Sequence, residues 1–253
     1  MSERKNRGAI SAGQWRRLIW PVLFASIAFA ILVSLGIWQM QRLHWKEDLL
    51  AKIDSRVHAA PVTLPPPAQW AAMSDEEYEY TRYQLTGTFE HRWEALIFRP
   101  IGGTDRQPGY QVLTPMRVSG TDGYVLVNRG FVPEALKATS SRAAGQIDGE
   151  VRITGLLRAP ELRSAFTPAD EPSKGLWYTR DPLAIARHFG IEGVAGFSID
   201  ADEAPNPGGW PKGGTTVIAI KNDHLSYAAT WFGLAATLLA VFSLFVWRHL
   251  RSC

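Results

Sequence analysis

Two long stretches without a formal charge constrain this chain more than any other feature: 24 residues between Arg17 and Arg42, and 23 between His224 and Arg248. A hydrocarbon core about 30 Å thick is crossed by about 20 apolar residues in a helix, so each stretch predicts a transmembrane segment. Averages over the chain conceal this, because its 253 residues are 46% apolar with a mean hydropathy of only −0.10. An aromatic content of 11% beside 20% charged residues excludes a disordered chain, since that composition buries enough surface to offset ordering entropy.

Cutting the chain at these stretches also redistributes its net charge of +3. Residues 1–38 carry +4, residues 227–253 carry +2, and the middle carries −3. The pI of 9.1 therefore belongs to the membrane flanks, and no basic face suited to nucleic acid is expected in the middle. Arg4, Lys5, Arg7, Arg16 and Arg17 before the first stretch, and Arg248 and Arg251 after the second, place both termini on the cytoplasmic side by the positive-inside rule. Trp15, Trp20, Trp38 and Trp45 flank one span, and Tyr227, Trp231 and Trp247 the other. The first run is longer than a signal-peptide core, which predicts an uncleaved anchor, and the short basic N-terminus with Glu3 argues against a transit peptide. The expected setting is a bacterial inner membrane with the central domain periplasmic. Cys253 is the sole thiol, so neither a disulfide framework nor a CxxC pair exists.

The resulting division is a tail (1–17), transmembrane helix 1 (18–38), a membrane-proximal helix and Pro-rich linker (39–79), a β-rich domain (80–224), transmembrane helix 2 (225–247) and a tail (248–253). The helical pattern continues beyond the first span to about Val57, and Pro65-Pro66-Pro67 breaks regular helix, so 61–73 reads as a spacer. From Tyr80 the apolar period becomes two. Residues 83–89 and 95–99 suggest one hairpin, and 110–118 with 124–132 a clearer one across Ser119-Gly120-Thr121-Asp122-Gly123. Further strands are expected at 151–157, 195–199 and 216–220, with one helix over 182–189, started by Pro182 and ended by Gly190. Two transmembrane helices flanking a mostly antiparallel, barrel-like or α+β domain is the expected fold. Loops 134–149 and 201–214 are long, with no role assigned, and Trp210 in the second reads as exposed.

No enzyme is legible. Glu90-His91-Arg92-Trp93-Glu94 has the wrong order and too few His for a zincin helix, and the glycines near Gly102 and Gly208 lack the context of a phosphate loop. Arg129, at a strand end, reads as a structural ion pair. A sensor's output domain does not fit inner tails this short, which leaves a membrane-tethered binding or assembly factor. Small residues at fourfold spacing, Ser26, Ala30 and Ser34 with Ala229, Gly233 and Thr237, suit close packing on each other or on a partner's helices.

The most informative constellation lies at the mouth of the second span. His224 sits at a depth that suits an axial haem ligand, and Arg42 and Lys46, leaving the first span at the same level, suit its propionates. Read from residues alone, an interfacial imidazole satisfied by water or backbone is the simpler account of His224. Snorkelling accounts equally for Gln39, Arg42 and Lys46 at i, i+3 and i+7.

Four blocks in order along the chain resemble the Surfeit locus protein 1 family of cytochrome c oxidase assembly factors: residues 36–46 (GIWQMQRLHWK), 85–89 (LTGTF), 109–115 (GYQVLTP) with 125–133 (VLVNRGFVP), and 222–234. The resemblance implies a non-enzymatic membrane chaperone of complex IV biogenesis in the respiratory chain, assisting haem a insertion into the catalytic subunit. It implies transient haem a, with His224 as the candidate iron ligand and no other metal. Its partners would be the oxidase catalytic subunit, enzymes of haem a synthesis and the bilayer. The alternative it leaves is a cofactor-free scaffold that binds oxidase subunits. Phe131 stands where the family often has Trp, which keeps an aromatic ring and removes an indole N–H donor.

Overall fold

A computed structural model describes residues 12–74, 78–99, 108–216 and 222–251. The chain divides into two compact units, one of Met1–Lys52 with Ala219–Cys253 and the other of Ile53–Ile218.

The first unit is a helical pair. Helix α1 runs over Ala12–Val57 and takes Pro21 into its length, and α3 covers His224–Arg251. Both are long and apolar enough to cross a membrane. Large side chains such as Ile19, Phe24, Leu239 and Val241 are exposed on them, as expected of surfaces that face lipid rather than water. The seam between the helices differs from the expected small-residue faces. Gly36, Gln39 and Leu43 of α1 and Ala228 and Ala235 of α3 are buried, whereas Ser26, Ala30, Ser34, Ala229, Gly233 and Thr237 are exposed. The heptad separations of 36 from 43 and 228 from 235 explain the shift, because a coiled-coil-like seam follows 3.5 residues rather than four. Gly36 makes room there for the Phe232 ring, which a Cβ, 2.6 Å away, would push aside.

The second unit is a sheet closed into a barrel. Its strands are β1 (Val62–Thr63), β2 (Arg82–Phe89), β3 (Ala95–Phe98), β4 (Gly109–Val118), β5 (Tyr124–Pro133), β6 (Glu150–Arg158), β7 (Leu176–Trp177) and β8 (Val194–Ala201). They follow the order β1-β2-β6-β8-β5-β4-β3-β7, and an additional β2–β4 pairing closes the ring through β2, β6, β8, β5 and β4. Pairing is antiparallel except for β1 with β2, β3 with β7 and β5 with β8. The alternating sequence of β5 explains its central place. Val125 and Val127 enter the barrel core with Leu85, Met116, Leu157 and Phe197, while Leu126 faces a second cluster with Ile97, Leu113, Trp177 and Ile185. Ile185 belongs to α2, Pro182–Phe189, at its expected bounds: Asp181 caps it by accepting from the Ala184 N–H at 2.9 Å, and Gly190 ends it in the left-handed region.

Three expectations change. The hairpin of 83–89 with 95–99 does not form: both segments lie along the same edge of β4, β2 pairing with Met116–Val118 and β3 with Tyr110–Leu113, separated by a 3-10 turn at His91–Trp93. Ten-residue β4 is long enough to hold both, so they run in the same direction. The 61–73 spacer is part of the barrel. Its prolines exclude an α-helix, yet β1 pairs with β2, and a 3-10 helix at Pro67–Ser74 inserts Trp70 and Met73 into the core, with the Trp70 indole N–H donating to Pro65 O at 2.8 Å. Trp210 is half-buried against Tyr110, Val112 and Val132. Of the expected strand 216–220, Thr216 is not in a strand, and the remainder lies outside the described residues.

Loop 201–214 is stitched to β5 by a reciprocal pair, Phe131 N–H to Lys212 O at 2.9 Å and Lys212 N–H to Phe131 O at 3.0 Å. Gly130 makes that approach possible: its φ is 114°, and a Cβ would stand 1.8 Å from Lys212 O. Gly149 also has positive φ, 82°, but faces open space. Gly130→Ala should therefore cost about 2–4 kcal/mol, combining strain with displaced backbone, and Gly149→Ala only about 1. Denaturant unfolding of the full chain in detergent checks the difference, and equal losses would contradict it.

Candidate functional site

The helical pair brings together two polar side chains that are 185 residues apart. His224 is the first residue of α3, and its Nδ1 lies 2.6 Å from Oε1 of Gln39 on α1. An amide oxygen only accepts, so Nδ1 carries the proton, and in the neutral ring Nε2 keeps its lone pair. Gln39 is buried and His224 half-buried. A fixed tautomer, with the second nitrogen unprotonated, is how metal-binding imidazoles are generally held.

Of the residues singled out in the sequence, it is thus Gln39 that engages His224. Arg42 lies three residues along α1, about 4.5 Å further up its axis, and Lys46 about 10.5 Å. The exposed Arg42 guanidinium stacks over the Trp45 ring, 4.5 Å from its centroid, and Lys46 is half-buried. Gln39 was legible only as a polar residue ending an apolar run. What marks it is that a buried amide in a membrane helix needs a partner, and His224 is the polar residue at the matching end of the antiparallel span.

The sheet domain holds two further ionisable clusters. At the first, Asp200 of β8 is 2% exposed and accepts from Asn128 Nδ2 at 2.9 Å, Thr216 Oγ1 at 2.8 Å, Arg158 at 3.2 Å and Arg180 at 3.4 Å. Glu79 pairs with Arg158, and Glu161 with Arg99 and Arg180. Three carboxylates face three guanidinium groups, and both oxygens of Asp200 are saturated, which suits a strut and leaves no lone pair for general-base work. Burial alone would raise the Glu161 carboxyl, but Arg180 and Arg99 outweigh it and hold it below its ordinary value of 4.5. Burial lowers Arg180, while Asp200, Tyr80 and Glu79 outweigh burial and raise Arg158.

The second cluster contains the Glu90–Glu94 segment and Arg129. Glu94 receives a bidentate, buried ion pair from Arg142, and His91 Nε2 lies 2.9 Å from Ile147 O. Arg129 makes no ion pair with a carboxylate among the described residues: its guanidinium donates to Gly145 O, stands 3.4 Å from His91 Nδ1 and lies over the Phe89 ring. Among the described residues no group of three or more His, Cys, Asp or Glu is placed to hold a metal ion.

The family model described as SURF1 family matches residues 26–236, across both helices and the barrel. The chain belongs to the SURF1 family. A SURF1-like protein of Monosiga brevicollis is 39% identical over 244 residues, 92% of this chain and 87% of that protein. Surfeit locus protein 1 of Homo sapiens is 37% identical over 236 residues, 88% of this chain and 74% of that protein, and its Xenopus tropicalis counterpart is 35% identical over 232, at 87% and 72%. In this member of the SURF1 family, the Gln39–His224 pair and the Arg129 cluster both fall within the matched span.

The Glu161 arrangement has a pH signature. A carboxyl held low in the folded state stabilises fully above its unfolded value and loses that contribution as pH falls through the folded one. Glu161→Gln should cost about 1–2 kcal/mol at neutral pH and make stability less steep below pH 4.5. Unfolding midpoints from pH 7 to pH 3 check this, and parallel curves for mutant and wild type would exclude it.

Proposed function

We propose that this chain is a non-enzymatic assembly factor for haem-copper cytochrome c oxidase, holding haem a for insertion into the catalytic subunit. Its proposed setting is a bacterial inner membrane, with both termini cytoplasmic and the central domain periplasmic. The two candidate spans with positive flanks support the setting, and the family supports the assembly role. The observation that carries the cofactor reading is the 2.6 Å contact of His224 Nδ1 with Gln39.

The residues fit the group chemically. Haem would supply an iron with an axial position for a neutral imidazole. His224 offers Nε2, Gln39 holds the tautomer from behind, and Arg42 and Lys46 bring positive charge further along α1 toward carboxylate propionates. One ligand from a half-exposed side chain suits transient holding, and the role requires reversible ligation without covalent change to haem or protein. Enzymes of haem a synthesis would supply the cargo and the catalytic subunit would receive it.

The full chain, purified after co-expression with haem a synthesis, should show a Soret band that His224→Ala abolishes. Gln39→Ala should weaken haem affinity about 10- to 100-fold while leaving the ligand in place. An unchanged His224→Ala spectrum removes this residue from the reading. Co-purification of the catalytic subunit with no haem under haem a excess would favour a cofactor-free scaffold. In a deletion strain, oxidase activity and membrane haem a should both fall, and normal values for both would defeat the assembly role.

A further inference from the structure

Among the described residues, Arg129 is a buried cation held only by neutral acceptors. It is 6% exposed, and it forms part of the wall of a cavity of about 80 Å³ in the sheet domain, partly open to solvent. Phe89, Ile147, Ile153, Ala204, Pro205 and Pro211 make the cavity largely apolar.

Among the described residues around it, one positive charge is left without a counter-ion. Glu94 is taken up bidentately by Arg142, which cancels both. Asp202, also on the cavity wall, pairs with Arg82. His91 supplies no negative charge: its Nε2 lies 2.9 Å from Ile147 O, and its Nδ1 stands 3.4 Å from the Arg129 guanidinium. Arg129 thus meets the Gly145 carbonyl, an imidazole nitrogen and the Phe89 ring face, two of its five N–H groups serving these contacts. Burial pushes the guanidinium down to about 10, the nearby Glu94 and Arg142 acting in opposite senses, so it remains charged at neutral pH. Burying an unpaired charge is costly, and a structural strut to Gly145 O would need no cavity beside it.

We propose that this cavity is a binding site for a small carboxylate with an apolar body, whose carboxylate is received by the Arg129 guanidinium. The planar fork matches a carboxylate in shape, and a single uncompensated charge matches a monoanion better than a phosphate dianion. The walls take the apolar body, and water leaving them adds to binding. The site goes beyond the oxidase assembly role and does not depend on it.

The test uses the full chain in a neutral maltoside detergent, with pentanoate as probe followed by saturation-transfer NMR. Wild type should bind pentanoate saturably, and the isosteric amide pentanamide at least about tenfold more weakly, the loss of one charge-assisted contact. Arg129→Gln should remove pentanoate binding. Because that variant risks misfolding, Ala204→Trp at the exposed rim is the second variant: it fills the mouth, leaves Arg129 in place and should abolish binding with the unfolding midpoint kept. Pentanamide binding as tight as pentanoate, inorganic phosphate binding as tight as pentanoate, wild-type affinity in Ala204→Trp, or no saturable binding each overturns the proposal.

Discussion

A polar side chain inside an apolar helix pair has no water to fall back on, and that constraint organises the helical unit of this chain. Gln39 is buried at the seam, so its amide must be answered from α3, and His224 answers it. The contact favours one register of the two helices, because sliding one by a turn would leave the buried Gln39 amide without its partner. It also fixes the chemistry of the imidazole, since the nitrogen used for packing is no longer available and the other one is. A single hydrogen bond thus serves as a packing restraint and as preparation of a ligand, which is why removing Gln39 and removing His224 have different expected consequences.

The sheet domain solves a related problem by another route. Its barrel brings β5, β6 and β8 side by side, which places Asn128, Arg158 and Asp200 around one buried point. Arg180 precedes α2 and Thr216 follows the long loop, so four separate segments converge on one carboxylate of β8. Such a cluster contributes little net stability compared with apolar packing of equal volume, yet it penalises any strand order that separates its members. Close approaches at Gly130 and Gly87 act in the same direction, since only glycine permits β5 to meet the Lys212 backbone and β2 to meet that of Arg117 where the barrel closes.

Much of this was legible in the sequence. Period-two stretches located strands β2 to β6 and β8 within a residue or two, and Pro182 and Gly190 bounded α2 at both ends, because those signals are local. What failed was non-local. Residues 67–74 read as linker because prolines forbid an α-helix, and nothing in a one-dimensional pattern says that Trp70 and Met73 plug a barrel formed by later residues. The β2–β3 hairpin failed because its competitor, ten-residue β4, lies downstream. His224, Arg42 and Lys46 were visible as polar residues at span mouths, but Gln39 was passed over as one more interfacial side chain, since hydrogen-bond partnership across 185 residues leaves no periodicity.

Asp200 and Arg129 then become informative as a pair. They are buried to a similar extent, 2% and 6% exposed, on strands of one barrel. The fold surrounds Asp200 with cations and donors until both oxygens are saturated. Around Arg129 it supplies, among the described residues, only a carbonyl, an imidazole and a ring, while Glu94, the carboxylate that could have served, is directed to Arg142. Had charge balance been the sole requirement at this end of β5, a carboxylate in place of one apolar wall residue would have met it, and the cavity would have closed around an internal ion pair. Keeping the cation and the opening together costs stability, and a structural role explains the cation without explaining the opening. The difference between these two buried charges is what separates a strut from a site.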